Sequence, residues 1–505
     1  MATDKLRPLT RPDEDSKMYD CFRRLQAASP GTPVLSAPLR LDPDRFFPAD
    51  PALRAVARQL FAETQSLPIL SPHGHVDPAW FATDAPFEDP VSVLLWPDHY
   101  VLRMLYSQGV DFGRLGIPGG DGPLEADRRE IWRLFAAHYS LFRGTPSRLW
   151  LDHVFATVFG LDVRLSAETA DHYYDAIAHA LAQAAFRPRA LFERFNIEAI
   201  ATTEGAIDPL PHHQAIRASG WAGRVLTTFR PDDVVDPERE DFAANLATLG
   251  AQTGEDMQSW PGYLAALRRR RTYFREVGGA TATDHGHPTA RTADLSTPEC
   301  EALFARVRLG GAGAEDAELF RAQMLTEMAV MACEDGMTMQ LHPGVWRNHN
   351  PWLFARYGRD RGADIPTRTS FVDGLKPLLD KVGNRADLTL ILFTLDETAY
   401  ARELAPLAGH YPCLKLGPAW WFNDSPEGML RFRRQTTETA GFYNTVGFND
   451  DTRAFFSIPA RHDLARRMDC AHLAELVATH RLEMDEAAEL AHALAYALPK
   501  AAYRL

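Results

Sequence analysis

The feature that most constrains the fold is a rhythm of short, apolar, β-rich runs that alternate with segments of helical periodicity. The runs lie at 68–71, 198–203, 225–229, 280–283, 337–341, 388–395, 413–416 and 445–448. Because alternating strands and helices produce a parallel sheet, eight such units predict an α/β fold of the (β/α)8 type, the TIM barrel. The functional groups of such a barrel lie at the carboxyl ends of its strands.

The distance between the first and second runs adds a further element. Residues 76–196 have helical periodicity throughout and are far too many for one strand-to-strand crossover. We therefore predict a distorted barrel with a large helical insertion after strand 1, at about 84–195. Barrel and insertion form one catalytic domain, 41–505, whereas 1–40 is rich in charge, Pro, Ser and Thr and is predicted to be a flexible N-terminal extension.

Bulk composition argues against several classes of protein. With a formal net charge of −13, the chain of 505 residues is not expected to bind nucleic acid, which requires an excess of Lys and Arg. No apolar run approaches the roughly 18 residues of a membrane helix, so we expect no membrane partner. The N-terminus lacks the apolar segment of a secretory signal, and the five cysteines are scattered and odd in number, which predicts a reducing, cytoplasmic location.

Polar residues collect at the predicted strand ends. In strand order they are His73 and His75, Thr203 and Glu204, Arg230, Asp284 and His285, His342, Asp396 and Glu397, Trp420 and Trp421, and Asp451 and Arg453. The carboxyl ends of all barrel strands meet at one rim, so these side chains are expected to surround a single active site.

The most informative of these positions is the sequence His73-Gly74-His75. In an extended chain residues i and i+2 point the same way, and a glycine lets the backbone turn close to an ion. Joined by Asp451 and by His342, the two imidazoles predict a site for one divalent metal ion. Zinc is expected, because it prefers nitrogen and carboxylate ligands and is held by three or so protein groups at catalytic sites.

A second His-Gly-His sequence, His285 to His287, is a rival pair of ligands, since chance alone can produce such a pair in a chain with 18 histidines. The pair at His73 and His75 is preferred because strands 1 and 8 are neighbours in a barrel. The run 280–284 offers no Lys to bridge two metals, which favours one ion.

Arginine and tyrosine side chains indicate the kind of substrate. Arg230 and Arg453 follow strands 3 and 8, and guanidinium groups bind carboxylates through paired, charge-assisted hydrogen bonds, which favours an anionic substrate. Taken singly, each is more often a surface salt bridge. His99 and Tyr100, on a helix of the insertion, are either core residues or pocket residues. A tyrosine near cations and a metal could have a lowered pKa and transfer protons.

Several motifs occur in a fixed order along the chain. They are Ser71-Pro-His-Gly-His-Val-Asp-Pro78, Trp96-Pro-Asp-His-Tyr100, Gly144-Thr-Pro-Ser147, Phe229-Arg-Pro-Asp232, Met339-Gln-Leu-His342, Ala419-Trp-Trp-Phe-Asn-Asp424 and Asp450-Asp-Thr-Arg453. From about Leu41 to the C-terminus the chain resembles the uronate isomerase (glucuronate isomerase) family, a divergent branch of the metal-dependent amidohydrolase superfamily. The last motif departs from the usual Thr-Asp-Ser-Arg, so the metal carboxylate is Asp451 by its position before the arginine, with Asp450 as the alternative.

The resemblance implies an aldose–ketose isomerase that interconverts D-glucuronate with D-fructuronate and D-galacturonate with D-tagaturonate. The residues it implies are His73, His75 and Asp451 as metal ligands, His342 at or beside the metal, and Arg230, Arg453, His99, Tyr100 and Trp421 around the sugar acid. The partners are then small-molecule uronates, and a homo-oligomer is expected.

The reaction suggests roles for these residues. Isomerisation shifts a proton between C2 and C1 through an enediolate, which needs a base that returns the proton and a cation that stabilises the oxyanion. Asp451, or water on the metal, is assigned the ring-opening proton transfer, and Tyr100 the transfer from C2 to C1. Arg453 would stabilise charge on the substrate oxygens, while Arg230 and His99 would hold its polar end.

Other functions stay open on sequence grounds. A metal-dependent amidohydrolase, such as a deaminase or lactonase, would use the same ligands to activate water. A barrel that has lost catalysis would only bind sugar acids. For the isomerase itself, a hydride shift competes with proton transfer.

Overall fold

A parallel sheet of seven strands lies at the centre of the structure. The computed structural model describes residues 37–120 and 122–505, so most of the predicted extension 1–40 falls outside the described residues. The strands are β1 (Ile69–Ser71), β2 (Ile197–Gly205), β3 (Arg224–Arg230), β4 (Ala282–His285), β5 (Thr338–Leu341), β6 (Val345–Trp346), β7 (Ile365–Pro366), β8 (Leu390–Leu392) and β9 (Leu414–Leu416). The sheet order is β1-β2-β3-β4-β5-β8-β9, and β6 and β7 form a separate antiparallel pair. The predicted distorted barrel is confirmed.

The wall between β9 and β1 is formed by irregular backbone. The predicted eighth run contributes one parallel bridge, between Leu416 and Thr445, and Gly447, at φ +75°, ends the extended conformation there. Farther along, the Thr452 carbonyl accepts a hydrogen bond of 3.0 Å from the backbone N–H of His75. The segment therefore joins both neighbours without forming a regular strand, and the prediction of a full eighth strand is wrong.

The fourth strand lies two residues later than the predicted run 280–283. It pairs with β5 so that Asp284 is opposite Gln340 and His285 is opposite Leu341. His285 is therefore inside the strand rather than after its end. Because successive side chains of a strand point to opposite faces, Asp284 and His285 face different layers of the protein.

Between β1 and β2 the described chain forms helices, as the predicted insertion requires. Their bounds are Pro78–Thr83, Pro90–Leu94, His99–Tyr106, Phe112–Leu115, Arg128–His138, Tyr139–Phe142, Pro146–His153, Val154–Val158, Ala170–Leu181, Ala184–Phe186 and Pro188–Arg194. Pro97 separates the second and third of these helices, because proline disfavours helical backbone at the residue before it. Thr145 caps the helix that begins at Pro146.

The remaining helices surround the sheet. They are Pro51–Thr64, Pro211–Ala218, Asp232–Val235, Phe242–Thr253, Trp260–Gly278, Thr297–Arg308, Ala314–Asp335, Pro351–Tyr357, Val372–Val382, Tyr400–Leu404, Ala405–Ala408, Trp421–Asn423, Pro426–Ala440, Phe455–Ser457, Ile458–Ala478, Met484–His492, Ala493–Ala497 and Leu498–Ala502. Within the described residues, none of the helices has the length and apolar character needed to span a bilayer.

The insertion has a hydrophobic core of its own. Trp132, Phe155 and Tyr173 are buried in it, and the first residues of β1 and β2, Ile69 and Ile197, belong to the same cluster. A second cluster packs the later barrel strands against their outer helices. The insertion therefore packs against the barrel at β1, the strand that precedes His73 and His75.

The first described residues lie against the insertion. Leu39 is buried, and its N–H donates to the Asp162 carbonyl at 2.7 Å. The Ala37 carbonyl accepts from Arg164 N–H at 2.8 Å. The last residues of the segment 1–40 thus pair with a loop of the insertion.

One buried arginine connects the start of β1 with a helix near the C-terminal end of the sequence. Arg466 lies on the helix Ile458–Ala478, and its guanidinium donates to the carbonyls of Gln65 at 3.1 Å, Leu67 at 3.0 Å and Pro68 at 2.9 Å. These bonds hold the backbone from which β1 begins, and they satisfy carbonyls that no strand partner reaches.

Replacing Arg466 by Met should lower the free energy of unfolding by about 2–4 kcal/mol, because three partly buried carbonyls lose a charged donor. Urea unfolding followed by circular dichroism measures the change. The control Arg434→Met removes an exposed pair with Glu475 and should cost less than about 1 kcal/mol. Equal losses in both variants would contradict the role given to Arg466.

Candidate active site

The chain leaves β1 through a turn that presents His73 and His75. His73 is buried and His75 is half-buried, with ring centres 5.4 Å apart. Gly74 between them lies against backbone: the Thr203 hydroxyl donates to its carbonyl at 2.9 Å, and a Cβ at Gly74 would come within 3.3 Å of the Thr452 carbonyl oxygen. This close approach explains why the residue between the histidines has no side chain.

Asp451 completes a cluster of three donors. Its Oδ1 lies 3.5 Å from His73 Nε2 and 3.3 Å from His75 Nε2. Its Oδ2 accepts a hydrogen bond of 2.5 Å from Trp420 Nε1–H. The tryptophan thus occupies one carboxylate oxygen and leaves the other directed at the imidazoles. The backbone of Asp451 has φ +37°, a left-handed conformation that is costly for a residue with a side chain.

These three donors suit a divalent metal ion. Ligand atoms about 2.0–2.1 Å from a tetrahedral zinc lie about 3.3–3.5 Å apart, and the separations here are 3.3 and 3.5 Å. Burial lowers the pKa of His73 to about 4, which keeps its imidazole in the neutral, metal-binding form. Burial opposes ionisation of Asp451, but the neighbouring histidines outweigh it and hold the pKa of that carboxyl well below its usual value.

The neighbouring aspartate of the last motif has different contacts. Asp450 is buried, and its Oδ2 lies 3.0 Å from His462 Nε2. Asp451, rather than Asp450, belongs to the donor group with His73 and His75.

His342 lies beside this group. Its Nδ1 is 2.6 Å from Asp284 Oδ1, and its ring stacks on His73 at 4.9 Å and on Phe393 at 3.9 Å. Because Asp284 accepts the proton on Nδ1, Nε2 is left as an acceptor, buried and without a hydrogen-bond partner among the described residues. His73, Asp284 and His342 form a second donor group that shares His73 with the first.

The rival pair His285 and His287 is not part of either group. Alternation along β4 directs Asp284 towards His342 and places His285 on the same side as Thr283, whose hydroxyl lies 3.0 Å from His285 Nε2. His287 lines the cavity, but among the described residues neither histidine belongs to a group of three metal donors.

A cavity of about 570 Å³ opens above the donors. The site residues proposed from the sequence all line it: His73, His75, His99, Tyr100, Arg230, His342, Trp421, Asp451 and Arg453. The helical insertion and loops after several different strands therefore contribute to one concave site, as expected for the carboxyl end of a barrel.

Arg230 and Arg453, the predicted anion-binding residues, are paired with carboxylates. Arg230 Nε donates to Asp232 at 2.7 Å, and its Nη1 lies 3.2 Å from Asp284. Burial opposes its charge, but the two carboxylates outweigh burial and raise the pKa of Arg230. Arg453 Nη2 lies 3.1 Å from Asp360. Both arginines therefore face the cavity with much of their charge already balanced.

His99 and Tyr100 line the cavity because they are the first two residues of a helix of the insertion. Asp98 caps the helix His99–Tyr106 by accepting the backbone N–H of Tyr100 at 2.9 Å. The His99 ring stacks on Tyr100 at 4.8 Å and lies 5.2 Å from Trp421. The cap thus fixes the first helical turn, which carries both pocket side chains.

Burial changes the acid–base character of both side chains. It lowers the pKa of His99 to about 3, so the imidazole is neutral near pH 7. It also raises the pKa of Tyr100 well above the ordinary value, and Arg461, 5.7 Å from the ring centre, opposes this only in part. Among the protein groups, desolvation of the phenolate outweighs the nearby cation, so the lowered tyrosine pKa considered from the sequence would require the charge of a bound metal ion as well.

Comparison with known proteins agrees with this geometry. The family model described as glucuronate isomerase matches residues 50–503. The chain is 68% identical over 472 residues to the uronate isomerase of Rhizorhabdus wittichii. This alignment covers 94% of this chain and 100% of that protein. The chain belongs to the glucuronate isomerase family.

Solved structures of the family have the same fold. Glucuronate isomerase from Caulobacter crescentus is 60% identical, with a TM-score of 0.91 over 92% of this chain and 97% of that chain. Uronate isomerase from Thermotoga maritima is 26% identical, with a TM-score of 0.85 over 92% of this chain and 99% of that chain. Barrel and insertion together therefore form the fold of a glucuronate isomerase family member.

Several residues that line the cavity make contacts that the sequence does not indicate. Asp284 and Trp420 stand at predicted strand ends, and only the structure reveals their bonds to His342 and Asp451. Arg347 donates to Asp364 at 2.8 Å, and these residues lie at the two ends of the segment that connects β6 to β7 in the hairpin. This hairpin lies beyond the strand ends, where no periodic pattern draws attention to its side chains.

The donor cluster predicts which histidine is needed for metal binding. After equilibration with zinc and dialysis, the parent protein should retain about one equivalent, and His75→Ala should retain far less, since it removes one of three ligands. His287→Ala, which leaves the cluster intact, is the control. Metal content is measured by atomic absorption. Loss of zinc from His287→Ala, together with retention of zinc by His75→Ala, would favour the rival pair.

Proposed function

We propose that the chain is an aldose–ketose isomerase of uronates, interconverting D-glucuronate with D-fructuronate and D-galacturonate with D-tagaturonate. The observation that carries the proposal is the meeting, in one cavity of a glucuronate isomerase family member, of a three-donor metal cluster with arginine side chains. The cluster suits polarisation of a sugar oxygen, and guanidinium groups suit an acid substrate.

The cavity would hold its metal at the end nearest β1. His73, His75 and Asp451 would be the ligands, with His342 beside them. A divalent ion bound there, with zinc our expectation, would supply positive charge for polarising a carbonyl or hydroxyl oxygen of the sugar. The neutral His73 and the ionised Asp451 are already in the protonation states that such binding requires.

Asp451 is the group we assign to ring opening. Its low pKa means that it carries a negative charge near neutral pH, so it can accept a hydrogen bond or a proton from a sugar hydroxyl. Trp420 holds the other carboxylate oxygen and fixes the direction of the acceptor. Arg453, on the same loop, would stabilise charge on the substrate oxygens, while Arg230 and His99 would orient the polar end.

Tyr100 is the group we assign to moving a proton between C2 and C1. Its ring lines the cavity, and its raised pKa means that the phenol is protonated before substrate arrives. To take a proton from C2, Tyr100 would first pass its phenol proton to the ionised Asp451, which would return it after C1 has been protonated. Positive charge nearby favours the phenolate, and Arg461 supplies it at the ring face and Arg453 at the cavity wall.

The location and assembly of the protein remain predictions. The four described cysteines, Cys300, Cys333, Cys413 and Cys470, are free thiols, which supports the proposed reducing cytoplasm. The expected homo-oligomer can be tested by light scattering.

A single assay tests the reaction class. The parent protein should convert glucuronate to fructuronate and galacturonate to tagaturonate without net uptake of water, and activity should fall by at least about tenfold after chelation and return with added zinc. Product detection by NMR distinguishes the isomers. Hydrolysis of a lactone or amide in place of isomerisation would favour the amidohydrolase alternative, and binding without turnover would favour a non-catalytic barrel.

Replacing Tyr100 by Phe should lower kcat by about 10²- to 10⁴-fold, the usual range for a positioned acid–base group. Tyr106→Phe, at the other end of the same helix, is the matched control and should keep near-parental activity. In deuterium oxide the parent protein should incorporate some deuterium at C1. No incorporation over many turnovers, or full activity in Tyr100→Phe, would contradict the assignment and favour a hydride shift or another base.

A further inference from the structure

A tyrosine near the C-terminal end of the sequence lies inside the barrel. Tyr503 follows the helix Leu498–Ala502, is fully buried and belongs to a hydrophobic cluster with Ile391 of β8. The residues on either side of Ile391, Leu390 and Leu392, belong instead to the cluster that packs β8 against the outer helices. Because side chains alternate along a strand, Ile391 and the Tyr503 ring beside it lie on the inner face of the sheet.

The hydroxyl of Tyr503 connects two parts of the chain. It donates to Gln340 Oε1 at 2.9 Å and accepts from Asn449 Nδ2 at 2.8 Å. Gln340 is a buried residue of β5, and its Nε2 lies 3.4 Å from His73 Nδ1. Asn449 stands two residues before Asp451. One hydroxyl therefore joins the side chains that lead to His73 and Asp451, two of the three proposed metal ligands.

The helix that carries Tyr503 is held where β5 begins and where the eighth run ends. The Ala502 carbonyl accepts a hydrogen bond of 2.6 Å from the Thr338 hydroxyl, at the first residue of β5. On another side, a Cβ on Gly447 would lie 2.7 Å from Pro499 Cδ. The position of the tyrosine is therefore set by the same barrel elements that its hydroxyl connects.

This connection matters because the barrel wall that carries Asp451 is irregular. The run 445–448 makes one parallel bridge with β9, between Leu416 and Thr445. Where a regular ladder of backbone hydrogen bonds is missing, buried side-chain hydrogen bonds can fix the position of a segment. The bond from Asn449 to Tyr503 supplies such a fixed point, two residues ahead of Asp451.

His73 also needs a partner for its second ring nitrogen. Its Nε2 faces Asp451 at 3.5 Å, so Nε2 is the atom that suits a metal. A histidine that binds metal through one nitrogen donates a hydrogen bond from the other, and that bond fixes the direction of the ring. The neighbour of Nδ1 is the Gln340 amide. A half-turn of this amide gives its oxygen to His73 Nδ1–H, and the Tyr503 hydroxyl, which can donate or accept, then accepts from the amide nitrogen.

We propose that Tyr503 is a positioning residue of the metal site, acting through Gln340 on His73 and through Asn449 on the loop of Asp451. The inference rests on the metal site of the proposed function and adds the group that orients its ligands from inside the barrel. Ligands that are oriented before the ion arrives lose less freedom on binding, so the hydroxyl should raise metal affinity.

The test measures zinc affinity of the full chain by competition with a chromophoric chelator, at a temperature where circular dichroism shows every variant folded. Tyr503→Phe keeps the ring, removes the hydroxyl and should weaken zinc binding about tenfold, as loss of a partner behind a ligand usually does. Gln340→Met should weaken it as well and serves as the test if Tyr503→Phe does not fold. In the double variant the combined loss should be smaller than the product of the two single losses, because both changes break the same connection to His73.

Tyr173→Phe is the matched control. Tyr173 is equally buried, and its hydroxyl donates to the Val163 carbonyl within the insertion. Both tyrosine variants should unfold at lower urea concentration than the parent, because each loses a buried hydrogen bond. Only Tyr503→Phe should lose zinc affinity, and Tyr173→Phe should stay within about twofold of the parent, since its hydroxyl is outside the connection to the ligands.

The outcomes separate this inference from the proposed function. Unchanged zinc affinity in Tyr503→Phe, an equal loss in Tyr173→Phe, or fully multiplicative losses in the double variant would each overturn the inference, while an active, zinc-binding parent upholds the isomerase and its metal. A parent protein that binds no zinc would overturn the inference, and its turnover of glucuronate would then decide separately whether the proposed function stands.

Discussion

The structure depends on one junction, where the loop after predicted strand 8 meets the turn after β1. There the backbone N–H of His75 donates to the Thr452 carbonyl at 3.0 Å, and Asp451 Oδ1 lies within 3.5 Å of both imidazoles. These contacts take the place of a regular hydrogen-bond ladder and at the same time assemble three metal donors. Closing the barrel and building the site are therefore one structural event, and a cation bound there would stabilise both.

A second principle is the near-complete pairing of charge around the cavity. Asp232 and Asp284 hold Arg230, and Asp284 also takes the Nδ1 proton of His342. Such pairs offset part of the cost of buried charge and orient the side chains before substrate arrives. Against these paired groups, a buried polar atom without a hydrogen-bond partner among the described residues, such as Nε2 of His342, is a candidate contact for a ligand.

Local patterns made much of the fold predictable. Strand period, turn glycines and helix caps act over a few residues, so the alternating runs, the insertion and the turn at Gly74 could be inferred from neighbouring residues alone. The errors lie where distant contacts override local pattern. At Gly447, where a Cβ would lie 2.3 Å from the Leu494 carbonyl oxygen, the eighth strand ends early. Pairing with β5 places β4 two residues later than predicted, so that His285 lies inside the strand and faces the side opposite Asp284.

The sequence by itself determined which chemistry-bearing residues stand at the ends of successive strands, since that order follows from short-range periodicity. Only the tertiary structure decided how they act together. It placed Asp451, and not Asp450, beside His73 and His75, paired Arg230 with two carboxylates, and surrounded the Tyr100 phenol with protein that raises its pKa. The physical reason is that burial and charge pairing depend on distances between side chains that folding brings together from different elements, and no local pattern records those distances.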